Sequence, residues 1–187
     1  MSTYIIDSEP EIVAVADADE MLIHDNDAAV TKKVGVDVLR QYMGGGLVSI
    51  AAADSITPAE HANRTLVFNI AAGVTVTLPA ATGTGDVYKF VVGVTVTSVA
   101  DVIQVANATD EFVGTMYQTD TDTADALVSY PALDGDGFDT ITMDGSTKGG
   151  IQGDSITITD IAAGKFLVEG FTNGSGTVAS PWSAAVS

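Results

Sequence analysis

Cysteine is absent from the 187 residues, so disulfides and thiolate metal sites are excluded. Basic residues are scarce as well: seven Lys and Arg stand against 25 Asp and Glu, a formal net charge of −18. Phosphate neutralisation needs clustered cations, so nucleic acid is rejected as a partner, and a polyanion would be repelled. The charge reads as a solvated, soluble surface. No run of 18 apolar residues supports a membrane span, and the acidic N-terminus does not resemble a secretory n-region. Two histidines leave little for nucleophilic catalysis. Ser155 lies outside a Gly-x-Ser-x-Gly elbow, and both a P-loop and a dinucleotide-binding fingerprint are missing. In so acidic a chain, carboxylate spacing carries little information about glycosidase chemistry. The expectation is a protein that is not an enzyme and has no cofactor.

What is present is β patterning. Forty-six per cent of residues are apolar, which argues for a folded chain. Val74, Val76 and Leu78 alternate with Thr75 and Thr77, the period of a strand with one buried side. Gly73 suits the turn before this strand, and Pro79 removes a ladder donor where it stops. Residues 65–70 and 88–92 supply neighbouring strands, with a Gly-rich loop at 82–85. Further strands are expected at 47–53, from 110, at 126–130, 138–143, 155–160 and 165–171. Residues 94–99 and 102–106 read as a hairpin, and the Thr/Asp alternation at 119–125 as an exposed loop. The predicted fold is mainly β, an antiparallel sandwich or distorted barrel. Trp182, the only tryptophan, is expected to plug the open end of the core, with an interface role as the alternative.

Ahead of this domain the texture differs. Residues 1–11 place Tyr4, Ile5 and Ile6 in an acidic, polar opening that reads as an extended arm. The arm is either a frayed tail or a strand added to a partner. Residues 21–24 and 30–34 flank an Asp25-Asn26-Asp27 turn, and Asp37 is placed to cap a short helix over 38–43. Gly44-Gly45-Gly46 is the linker, giving an N-terminal arm and small α/β adaptor over 1–46 and a β domain over 47–187.

Three sets of polar residues invite a functional reading. His24 beside Asp25 and Asp27 reads as a metal ligand or as polar surface. Asp134, Asp136 and Asp139, spaced by glycines, resemble the opening of a calcium loop. Position twelve, however, is Gly145 where a bidentate Glu belongs, and an Asp-Gly turn is the competing account. His61 and Arg64 are expected to hydrogen-bond the backbone of the strand that follows them.

Residues 57–65, the Gly73 to Gly85 segment and Tyr88-Lys89-Phe90-Val91-Val92 together resemble a module recurrent in tailed-bacteriophage structural proteins of the capsid decoration or head-fibre type. The likeness continues through Ile103-Gln104-Val105-Ala106-Asn107, residues 139–145, residues 149–154 and Gly174-Ser175-Gly176-Thr177. Residues 12–43 resemble, over this short stretch, a small adaptor module seen near phage fibre and other virion proteins. The resemblance implies a decoration or cement protein on the outer surface of a phage head, a homotrimer that bridges major capsid protein subunits. Tyr4, Ile5, Ile6 and Ile12 are the candidate shell contacts. The alternatives are a tail-fibre, tail-tip or head-fibre adhesin for host glycans, and a secreted glycan-degrading enzyme.

Overall fold

The computed structural model describes residues 20–25, 30–35, 46–122 and 126–186, and the chain divides into two compact units, Met1–Met43 and Gly44–Ser187. In the first unit β1 (Glu20–Asp25) and β2 (Val30–Gly35) form an antiparallel hairpin, with Glu20 opposite Gly35 and Asp25 opposite Val30. These are the two strands expected there, and residues 26–29 between them lie outside the described residues. Lys33 pairs with Glu20 across its exposed face, a contact worth little in water. The helix expected over 38–43 lies outside the described residues.

The second unit is mainly β, with a single helical turn, α1 (Pro58–His61). Its first six strands are β3 (Leu47–Ile50), β4 (Asp54–Ser55), β5 (Arg64–Phe68), β6 (Thr75–Thr77), β7 (Val87–Val92) and β8 (Asp101–Gln104). They alternate between two sheets: β3, β5 and β7 pair in parallel in one, and β4, β6 and β8 pair in parallel in the other. The chain therefore coils, each turn laying one strand on each sheet, in the manner of a flattened β-solenoid. Parallel neighbours need a crossover, and here a strand of the opposite sheet supplies it.

The remaining strands close the structure. They are β9 (Glu111–Asp120), β10 (Ala126–Ala132), β11 (Thr140–Met143), β12 (Ser155–Ala162), β13 (Lys165–Gly174) and β14 (Trp182–Ser183). Hairpins β9/β10 and β12/β13 extend the first sheet to seven strands, ordered β10-β9-β13-β12-β7-β5-β3. The second sheet runs β14-β11-β8-β6-β4. The expected mainly β fold holds, but its strands are not all antiparallel as expected: of the ten pairings among the described strands of this unit, five are antiparallel and five parallel. Alternation marks a strand's buried face and is silent about its partner, which the coiling path decides.

One core lies between the sheets. Leu66, Phe68, Tyr88, Phe90, Phe112, Ile156, Ile158 and Phe166 come from the larger sheet, and Val76, Ile103, Ile141 and Met143 from the smaller. Phe68 stacks on Phe90 at 5.5 Å. Trp182 is buried as expected: it stacks on Phe138 at 6.1 Å, tilts against Phe112, and its Nε1 donates to the Tyr130 carbonyl at 3.0 Å.

Two local expectations are corrected. Residues 94–99 form no hairpin with β8: the Thr97 and Val99 amides donate to the Ala71 and Ala72 carbonyls, and β8 instead pairs with β6 and β11. The cause is close approach at Gly93, whose amide donates to Phe68 and where a Cβ would meet Val67 Cγ1 at 2.5 Å. The loop expected from 119 begins later, because β9 runs through Asp120 in register with Ala126.

Candidate binding face

Polar chemistry in the second unit is spent first on holding turns. Among the described residues six acidic side chains are buried: Asp101, Asp110, Glu111, Asp139, Asp154 and Asp160. The reading of the charge as solvated surface therefore fails for these six. Carboxylates are strong acceptors, and each takes amides that the strand ladders leave over.

Asp160, at a bulge in β12, accepts from the amides of Thr82 (3.0 Å), Gly83 (2.7 Å) and Thr84 (3.3 Å), fixing the Gly-rich loop. Burial pushes its carboxyl up, but these amides together hold it below the usual range. Asp154 accepts from Gly150, Ile151 and Asn173, and there burial prevails, pushing it up. Asp101 takes only the Val74 amide, at 3.1 Å, and its other oxygen has no partner, so burial raises it from 3.8 to about 6.

The three aspartates of the calcium-like stretch do not converge. Asp134 pairs with Lys165, Asp136 accepts the Leu133 amide at 2.8 Å, and Asp139 accepts the Ala185 amide at 2.7 Å. Glu111, unremarked in the sequence, takes the Gly135 and Gly137 amides of this turn and pairs with Lys165. The Lys165 ammonium first, and the Gly135 amide next, bring it down to about 2. The stretch is an Asp-Gly turn locked by Glu111.

His61 and Arg64 also differ from expectation. His61 is buried with Nδ1 accepting from the Thr57 amide at 3.0 Å and Nε2 lying 3.6 Å from Asp54, while Arg64 donates to the Glu60 carbonyl at 2.7 Å. Both tie down the turn before β5 rather than the strand itself. The shell contacts Tyr4, Ile5, Ile6 and Ile12 lie outside the described residues, as do the side chains of His24, Asp25 and Asp27.

The surface left uncommitted is the outer face of the seven-stranded sheet. Phe171 on β13 is 65% exposed and stacks, at 5.7 Å and 20°, on Tyr117 of β9, itself 38% exposed. The parallel register of β9 and β13 places them side by side. Across the strands the aromatic row reads Ser129, Tyr117, Phe171, Ser155. The next row reads Thr115, Glu169, Thr157, Lys89. A groove of about 250 Å³ on this face is lined by Thr115, Tyr117, Leu167, Glu169 and Phe171, with Gly114, Val168 and Gly170 beneath them. Sequence reasoning missed this pair. The available signal was Phe171 standing opposite in phase to the buried Phe166 and Val168.

Among the described residues no helix is long and apolar enough to cross a membrane, and no three His, Asp or Glu side chains gather as metal ligands do. No family model, curated protein or solved structure matches the chain.

Proposed function

We propose that the protein is a structural binding protein without catalytic chemistry: a decoration or cement protein that sits on the outer surface of a tailed-phage head and bridges major capsid protein subunits as a homotrimer. The observation that carries the non-enzymatic part is the commitment of these buried acids and His61 to backbone amides of turns and loops. A catalytic acid or base must keep a lone pair or proton free for substrate, and these side chains hold the fold instead. The capsid part rests on the resemblance in the β domain.

In this reading the coiled β unit is a rigid body with an acidic exterior that stays soluble and faces outward, and Tyr4, Ile5, Ile6 and Ile12 supply the attachment. A contact of about 1,600 Å², repeated over symmetric sites, makes modest individual affinities sufficient. The test replaces Ile5 and Ile6 with Asp and measures co-sedimentation with shells lacking the protein. The expected result is loss of shell binding with an unchanged melting temperature; undiminished co-sedimentation of the variant removes the arm from the mechanism.

A further inference from the structure

We infer that the outer face of the seven-stranded sheet is a carbohydrate-binding platform, taking one pyranose ring of a neutral glycan over Phe171 and Tyr117. The site goes beyond the shell-binding reading and does not depend on it.

Three features of the face select this ligand class. The first is the aromatic pair. Phe171 and the partly exposed Tyr117 form a stacked aromatic pair at the surface, an apolar patch against which the axial C–H bonds of a sugar can lie. Exposed aromatics that cluster mark a contact surface, whereas scattered ones do not.

The second is what surrounds the rings. Ser129 and Ser155 flank them in their own row, and Thr115, Glu169 and Thr157 stand in the next. Short hydroxyls lose little rotamer freedom on binding, and a carboxylate accepts two sugar hydroxyls at once. Leu167 also lines the groove, and two rings with one leucine make a smaller apolar centre than a stable protein contact, which buries roughly 800 Å² per partner. The groove, about 250 Å³, falls just below the range that encloses drug-sized ligands and suits a single sugar ring.

The third is charge. Glu169 lines the groove and the chain carries −18 overall, so sialylated, uronic or phosphorylated glycans are repelled and neutral ones are not. Lys89, separated from Glu169 by Thr157, is the one cation in the polar row. It gives that row a donor at the end opposite Thr115.

The purified full chain is screened against neutral oligosaccharides of glucose, galactose, mannose and N-acetylglucosamine, together with sialylated counterparts, and hits are titrated by calorimetry. Saturable binding to at least one neutral glycan is expected. Phe171→Ala and Tyr117→Ala should each weaken it about tenfold, the worth of one aromatic contact. Glu169→Gln should weaken it severalfold, and Leu133→Ala, exposed but elsewhere, should leave it unchanged. Melting curves of Glu169→Gln and Leu133→Ala should match the parent, and those of Phe171→Ala and Tyr117→Ala should stay cooperative and shift by about 5 °C or less, the loss of one ring stacking. Three results overturn the inference: no saturable binding at 10 mM sugar, undiminished binding by Phe171→Ala, or self-association that Phe171→Ala abolishes. The last would make the face a contact between copies of this chain. Equal affinity for sialylated and neutral forms would refute the selection by charge.

Discussion

Asp101 should make the protein less stable as the solution becomes more alkaline, against the usual behaviour of a carboxylate held by hydrogen bonds. It is fully buried at the start of β8, opposite Met143, with one oxygen on the Val74 amide and the other without a partner. Burial raises it from 3.8 to about 6. A folded-state value above the unfolded one means that the folded chain binds more protons between these limits. Stability is therefore full below the lower limit and falls as pH rises through the window. A rise from 3.8 to about 6 is worth about 3 kcal/mol at neutral pH, of which about 2.5 kcal/mol develops between pH 4 and pH 7.

The perturbation is Asp101→Asn, which keeps an oxygen for the Val74 amide and removes the charge. Its new amino group carries a packing cost, but that cost is the same at every pH. Asp160 and Glu111 titrate alike in both proteins, so they cancel as well. Urea unfolding at 25 °C, followed by fluorescence of the buried Trp182, measures both proteins at pH 4 and pH 7. The variant should gain about 2.5 kcal/mol on the parent between the two conditions, on the order of 5–10 °C in melting temperature. Parallel pH profiles, within about 0.5 kcal/mol, would refute the reasoning that burial dominates at Asp101.

Two substitutions probe the locks and the close approaches. Asp160→Ala should cost about 2 kcal/mol in urea unfolding and speed amide exchange at Gly83; the cost is moderated because Thr82, Gly83 and Thr84 are exposed and water replaces the carboxylate. Its pH dependence opposes that of Asp101: a depressed carboxyl contributes stability above its unfolded value, lost as pH falls below it. Gly114→Ala places a Cβ 2.1 Å from the Val168 carbonyl at φ +134°, so about 3 kcal/mol or more should be lost, whereas Gly135→Ala, strained at φ +88° but in open space, should cost about 1 kcal/mol by the same assay.

The sequence reveals strands well and their neighbours poorly. Val74 to Leu78, Ile156 and Ile158, and Phe166 and Val168 alternate plainly, and each proves to be a strand or its flank with that face buried. The solenoid coiling was not legible, because the coils differ in length: β3, β5 and β7 begin at residues 47, 64 and 87. Unequal coils leave no repeat to detect. The buried acids were hidden for a different reason. An aspartate that caps a turn and one that faces water look alike beside Gly and Thr, and only the fold brings Asp160 to a loop some 77 residues away. The Tyr117 and Phe171 pair is likewise a product of parallel register, which no local pattern encodes.

The most direct measurement of the proposed capsid role is cryo-electron microscopy of virus particles from the source of this chain. Density for the coiled β unit repeated at symmetry-related positions over the outside of the head, with an arm reaching the shell, is the predicted result. Density confined to the tail or to a single vertex, or absent from the particle, would contradict the account.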